Sequence, residues 1–228
     1  MAAKPLHILS TGLLEEELIK SVEGQVHLDC IPFIKILYVA PDTIASAVAA
    51  AGSNLRYVIF TSKNAVKAVA AANLPHSDWN VFCIETATQK QVGASFPQSV
   101  IIATAPNGAQ LAEKIVAHAP ERTLFFCGNR RLNTIPETLA RHHIPNKEIT
   151  VYDTIETPKT VNKDYDGILF YSPSGVESFF SVNRLPQQTA AISIGPSTTR
   201  TLKKYTDKII ESPVPDAKQL VQQALLLR

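Results

Sequence analysis

"VIFTSKNAVKAV" (Val58–Val69) and "ILFYSPSGVESFF" (Ile168–Phe180) pose the same local problem twice in one chain. Each is an apolar run of strand length that meets a serine and then passes into helical spacing. Phe170 follows Phe60 by 110 residues, Ser172 follows Ser62 by the same step, and Val176 follows Val66. That step also carries Ile84 of "VFCIETATQ" onto Ile194 of "AISIGPSTT", and Thr88 onto Thr198. Further on, "APNGAQL" (Ala105–Leu111) resembles "VPDAKQL" (Val214–Leu220), with Asn107 and Asp216 each suited to cap a helix. A register held through three strand–helix units makes two similar α/β halves.

The same alternation runs through the rest of the chain. Strands are expected at 6–10, 26–30, 57–61, 81–84, 99–102, 123–127, 149–152, 167–171, 190–194 and 208–210. Helices are expected at 13–21, 43–51, 65–71, 109–118, 136–141, 176–181, 199–205 and 218–227. Short apolar strands alternating with helices imply parallel sheets closed on both faces by right-handed crossovers. At the carboxyl edge of such sheets, free backbone N–H groups and the helix dipole favour an anion. Ser62, Asn64, Ser172, Ser174 and Thr198 all fall there. Each serine is an N-cap in its own right, so the single residue proves little; two rows of caps, one per half, would line a cleft for an anion.

Composition narrows the partners. Hydrophobic residues make up 45% and charged residues 18% of 228, ordinary for a globular domain with a real core. A net charge of +2 advertises neither a nucleic-acid nor a membrane surface. No stretch is apolar for long enough to span a bilayer, and the acidic Glu15–Glu17 run argues against a signal peptide, so a cytoplasmic protein is expected. Cys30, Cys83 and Cys127 are far apart and flanked by apolar residues, which reads as three core thiols in a reducing compartment. There is no Walker loop, G-x-G-x-x-G corner or Cys/His cluster.

Four stretches together resemble one family. They are "FTSKNAV" (Phe60–Val66), "FCGNRRLNTIPETLARHHI" (Phe126–Ile144) followed by "VYDT" (Val151–Thr154), "FYSPSGVESFF" (Phe170–Phe180), and "SIGPSTTRTLKK" (Ser193–Lys204). In order and spacing they are similar to the uroporphyrinogen-III synthase family. The resemblance implies two flavodoxin-like parallel-sheet α/β domains joined by a two-stranded β ladder, one domain being discontinuous. Domain one would be 1–33 plus 153–228, domain two 35–152, with connectors at 31–39 and 149–157.

The implied reaction closes the linear tetrapyrrole hydroxymethylbilane to uroporphyrinogen III in the heme pathway, with loss of water and inversion of ring D. The electron-rich pyrrole drives hydroxide loss, so the protein chiefly controls geometry and no metal, flavin or nucleotide is required. The resemblance further implies a monomer, with a transient contact with hydroxymethylbilane synthase as the protein partner to expect. Tyr152 matches the family's proton donor, although on its residues alone a tyrosine packed on a connector strand is the favoured reading. Thr198 and Thr199 match a threonine pair after Gly195, whose freedom would let the backbone turn tightly before Pro196. Gly128, Asn129 and Arg130 form a loop in which Arg130 is either a substrate contact or a solvated helix-start arginine.

Two departures stand out. The first strand runs into Thr11-Gly12-Leu13 where the family often has a Thr-Arg-Pro-like turn, and Glu85 stands where the repeat has glycine. Trp79 is expected to pack against a domain surface, His142 and His143 to sit at a helix end, and Leu220, Ala224 and Leu227 to form a buried helix face. The rival readings are a non-catalytic two-domain binder of a small carboxylate or phosphate, and a relative that has lost turnover.

Overall fold

The computed structural model describes residues 5–52, 56–74 and 78–227. Residues 1–4 and 228, assigned above to domain one, and 53–55 and 75–77, assigned to domain two, lie outside the described residues. The elements in chain order are β1 (Leu6–Ser10), α1 (Glu16–Ser21), β2 (Val26–Cys30), β3 (Ile34–Tyr38), α2 (Pro41–Ala51), β4 (Tyr57–Phe60), α3 (Lys63–Ala71) and β5 (Asn80–Ile84). They continue with α4 (Ala87–Ser95), β6 (Val100–Ala105), α5 (Gly108–His118), β7 (Thr123–Gly128), α6 (Thr134–Arg141) and β8 (Asn146–Glu156). Last come β9 (Gly167–Phe170), α7 (Pro173–Phe180), β10 (Ala190–Ser193), α8 (Pro196–Leu202), β11 (Ile209–Glu211) and α9 (Ala217–Leu225).

The chain divides into two units, Met1–Lys35 with Ile155–Arg228, and Ile36–Thr154. In the first, five parallel strands lie in the order β11-β10-β9-β1-β2. Counted along the chain this is 2-1-3-4-5, the flavodoxin-like order. In the second, β6-β5-β4-β7-β8 form a parallel sheet, and β3 adds a sixth strand beside β8. The two five-stranded sheets have one spatial plan threaded from different starting points. β9-β10-β11 stand where β4-β5-β6 stand, whereas the flanking pair comes first in one unit (β1, β2) and last in the other (β7, β8).

Burial explains why these segments are strands. "TLFFCG" of β7, "GILF" of β9 and "AAIS" of β10 are buried at every residue, because helices cover both faces. One cluster unites Val58, Phe60, Val66, Val69, Phe126 and Val151, and its counterpart in the first unit unites Leu9, Phe33, Phe170, Val176, Phe179 and Leu202. Trp79 belongs to the core rather than a surface. It is 5% exposed and packs against Phe96 and Phe126. Cys83 and Cys127 are buried as expected, but Cys30, on the outer strand β2, is only half-buried. Leu220 and Ala224 of α9 are buried, and Leu227 packs over Gly167, where a Cβ would meet its methyl at 2.8 Å.

Helix starts follow capping chemistry. Asn107 accepts from Gln110 N at 3.0 Å and Asp216 from Lys218 N at 2.9 Å. α1 begins at Glu16, three residues after its expected start, because Glu15 makes no side-chain cap and Leu13 is left in solvent. α4 has no expected counterpart. Only Thr88 and Val92 of its nine residues are buried, too thin an apolar stripe to read from sequence.

The β3–β8 ladder is fixed by Val39 N to Val151 O at 3.0 Å and Thr157 N to Phe33 O at 2.9 Å. These two bonds run antiparallel, and their register sets Tyr38 opposite Tyr152. Among the described residues no helix is long and apolar enough to cross a membrane.

Candidate active site

The carboxyl edges of β4, β7 and β8 bring one set of side chains together in the second unit. Ser62 ends β4 in an extended conformation, and its Oγ accepts from Asn64 N at 3.1 Å, capping α3. Losing such a cap costs about 1 kcal/mol, so Ser62 has a structural role whatever else it does. Gly128 ends β7 opposite Tyr152. A Cβ on Gly128 would lie 2.5 Å from two ring carbons of Tyr152 and 2.8 Å from its hydroxyl. Only glycine lets the phenol lie flat across the end of β7.

Burial raises the Tyr152 phenol above its ordinary value, and a hydrogen bond from Ser62 pulls partly the other way. The phenol therefore stays protonated at neutral pH and can act as a donor, not as a base.

Tyr38 shares this patch. It is 50% exposed, stands beside Tyr152 across the ladder, and points its hydroxyl at Asn64 Oδ1 from 3.4 Å. Asn129 is exposed, and its bonds tie it to the strand that carries the phenol. Its Oδ1 accepts from Thr154 N at 2.9 Å while its N–H donates to Tyr152 O at 3.2 Å. Arg130 is exposed in the same loop, and Arg131 is paired with Glu148.

The first unit gathers a second set on adjacent strands β9 and β10. Ser172 caps α7 by accepting from Gly175 N at 3.1 Å and lies 3.1 Å from the Ser174 hydroxyl. Gly195 precedes α8 at φ 167°, which is extended backbone open to any residue, and a Cβ there would approach nothing nearer than Pro215 at 4.0 Å. The turn does not need glycine, contrary to the expectation above. Pro196 does stand at the helix start.

Thr198 is 1% exposed and faces the core. Thr199 is half-buried, and its hydroxyl donates to the carboxylate of Glu211. Ser193 Oγ lies 2.5 Å from the same hydroxyl.

A second phenol sits beside these groups. Tyr171 lies over Gly12, with its Cδ2 3.1 Å from where a Cβ would be, and its hydroxyl meets Ser10 Oγ at 2.9 Å. Ser10 gives its own proton to Gly12 O at 2.7 Å.

The Glu85 corner is built differently from its counterpart. Glu85 N continues the ladder to Ala105 O at 3.0 Å, and the next residue, Thr86, takes φ 63°. That left-handed conformation is unusual for a β-branched residue. Burial first, and the Glu85 carboxylate second, push the Cys83 thiol up to about 11. Among the described residues no three His, Cys, Asp or Glu side chains are placed to hold a metal. A cavity of about 380 Å³ lined by His7, Asp164, Tyr165 and Asp166 opens at the amino ends of β1 and β9, the edge away from these groups.

A family model described as uroporphyrinogen-III synthase HemD matches residues 17–222. The chain belongs to the uroporphyrinogen-III synthase family. These are cyclising lyases of heme biosynthesis. The chain is 25% identical to the uroporphyrinogen-III synthase of Saccharomyces cerevisiae over 84% of both proteins. It is also 25% identical to the uncharacterized protein RP474 of Rickettsia prowazekii, over 60% of this chain and 47% of that one.

Among solved structures, the uroporphyrinogen-III synthetase of Helicobacter pylori superposes with a TM-score of 0.66 at 17% identity, covering 98% of this chain and 100% of the other. A mutant uroporphyrinogen III synthase of Thermus thermophilus gives 0.68 at 12% identity, covering 97% and 98%. At such identities the synthase structures support the fold, two parallel-sheet α/β units.

Sequence reasoning overlooked Tyr38, Ser10 and Glu211. Nothing local singles them out, since each reaches its place through strand register: Tyr38 against Tyr152, Ser10 beside Leu169, and Glu211 against Ser193.

Proposed function

We propose that this chain is a working uroporphyrinogen-III synthase that closes hydroxymethylbilane with loss of water and inversion of ring D, using Tyr152 as proton donor to the departing hydroxide. The observation that carries this reading is the Tyr152 phenol packed against Gly128, kept protonated by burial and hydrogen-bonded to Ser62, the residue that caps α3. The alternative of a carboxylate-binding module gives no reason for such a phenol.

When the C–O bond of the terminal hydroxymethyl group breaks, the phenol proton passes to the leaving oxygen and water departs. The Ser62 hydroxyl then stabilises the phenolate left behind. The positive charge delocalises over the adjacent pyrrole, and the protein's remaining task is to hold one conformer while ring D attacks through its substituted carbon.

The many carboxylates of the substrate are held by the backbone N–H groups and hydroxyls at Ser62–Asn64, Ser172–Ser174 and the Gly195–Thr199 corner, with Arg130 as a charged contact. A chain of net charge +2 presents no wall of cations, so neutral donors at helix starts fit this ligand better. No cofactor enters the mechanism, and the protein acts as a cytoplasmic monomer that receives its substrate from hydroxymethylbilane synthase.

The test supplies fresh hydroxymethylbilane, oxidises the product and separates the type I and type III isomers. Type III should dominate with the wild-type chain, and Tyr152→Phe should lower kcat by roughly 10²- to 10⁴-fold, the usual worth of a positioned acid. An isomer ratio unchanged by adding the protein, or full turnover in Tyr152→Phe, overturns the assignment.

A further inference from the structure

The first unit already holds a carboxylate at the edge where the substrate's carboxylates are to bind, and it is the protein's own. Glu211 ends β11, and its register partner is Ser193 at the end of β10. The α8 residue Thr199 reaches both. Its single proton has three acceptors within range: Gly195 O at 3.3 Å, Ser193 Oγ and the Glu211 carboxylate. The carboxylate is the strongest of these, because charge-assisted hydrogen bonds are about twice as strong as neutral ones. Ser193 is 0% exposed, so its proton turns to Thr199 Oγ1 at 2.5 Å. The order is Ser193 to Thr199 to carboxylate. Each donor polarises the next, which makes the outer hydroxyl a better donor than a solitary threonine.

We propose that the Ser193–Thr199 relay is a seat for one carboxylate of the substrate and that Glu211 is its resident place-holder, which the substrate must displace on binding. The proposal rests on the synthase reading above. In the free protein the carboxylate of Glu211 keeps the hydroxyl pair satisfied and oriented. On binding, a substrate carboxylate takes the Thr199 proton, and Glu211, exposed at the end of a three-residue strand, turns to solvent. A polyanion therefore meets competition and like-charge repulsion at the same point. Glu211 weakens binding while leaving chemistry untouched, so it sets KM and the selectivity among carboxylate side chains of different length.

Four chains test this: wild type, Glu211→Ala, Thr199→Val and the double variant. Two readouts are measured, the KM for hydroxymethylbilane and the quenching of uroporphyrin fluorescence at equilibrium. Glu211→Ala should lower KM and the uroporphyrin Kd about three- to ten-fold at low salt, the scale of one like charge and one competed hydrogen bond, with kcat unchanged. In the Thr199→Val background the same substitution should change Kd by less than about two-fold, because the seat is gone. Tighter binding in both backgrounds would show repulsion alone and overturn the seat. An unchanged or raised Kd in Glu211→Ala, or a loss of kcat, overturns the place-holder outright. Tighter uroporphyrin binding together with no excess of type III product would sink the synthase reading and leave the seat standing.

Discussion

Tyr152 and Tyr171 are two answers to one architectural opportunity. In each unit a strand next to the centre of the sheet ends at or near a glycine, Gly128 closing β7 and Gly12 following β1, and a tyrosine ring packs against that glycine. Each phenol is raised above its ordinary value mainly by burial, and each meets a serine hydroxyl. The serines differ. Ser10 is wholly buried and gives its proton to Gly12 O, so Tyr171 must donate inward and its proton is taken up by the fold. Ser62 is half-buried and accepts from the α3 amide, and its hydrogen bond with Tyr152 only partly offsets the upward push of burial on that phenol. The phenol in the first unit meets a serine that is wholly buried and bonded to Gly12 O, whereas the one in the second meets a half-buried serine that caps a helix.

The sharpest way to break this comparison is at the glycines. Gly128→Ala places a methyl group 2.5 Å from the Tyr152 ring. Turnover should fall on the order of 10²-fold as the phenol is pushed aside, with about 1–3 kcal/mol lost in chemical denaturation. Gly12→Ala, at 3.1 Å from the Tyr171 ring edge, asks for only a few tenths of an ångström. It should keep turnover within about two-fold and cost about 1 kcal/mol or less. Equal losses of turnover in the two variants would abolish the distinction.

Alkaline pH gives the next largest effect. Both phenols are raised in the folded state, so the protein holds protons that the unfolded chain releases near the ordinary tyrosine value of about 10. Their contribution is complete below that value and is lost as pH rises above it. Stability measured by denaturation should begin to fall near pH 9, where the unfolded thiols of Cys30, Cys83 and Cys127 ionise, and fall further beyond 10, whereas the alkaline limb of kcat should lie above 10. A basic limb near pH 8 would mean that the donor is not Tyr152.

Tyr171→Phe should lower stability by about 1 kcal/mol for one lost hydrogen bond and leave kcat within about two-fold. A large fall in kcat would make Tyr171 a second donor. The smallest effect concerns the strained corner after β5. Thr86→Gly removes the penalty of φ 63° and should raise stability by about 1 kcal/mol, whereas a decrease would show that the Thr86 side chain holds that turn.

Much of this was legible in the sequence because it is local chemistry. The apolar runs around Phe60 and Phe170 gave strands, and Ser62, Ser172, Asn107 and Asp216 gave caps that each accept from a backbone N–H in the first turn of the helix. α4 was not legible, because a helix that buries only Thr88 and Val92 is held by the sheet it covers rather than by its own periodicity. Trp79 was expected to pack against a domain surface, and its place in the core was hidden for a related reason: its partner Phe126 comes from β7, much further along the chain. The Gly195 argument failed because glycine at a turn does not by itself imply a left-handed backbone.

By itself the sequence determined the α/β alternation, the internal repeat, the capping residues of four helices and the family, since each depends on residue spacing along the chain. Only the tertiary structure decided that the repeat is threaded from different starting points, that Tyr38 stands beside Tyr152, and that Thr199 already holds a carboxylate. These depend on strand order and register, which are set by long-range pairing and packing. That is also why two tyrosines that look alike in sequence meet serines in different surroundings, one wholly buried and one capping a helix.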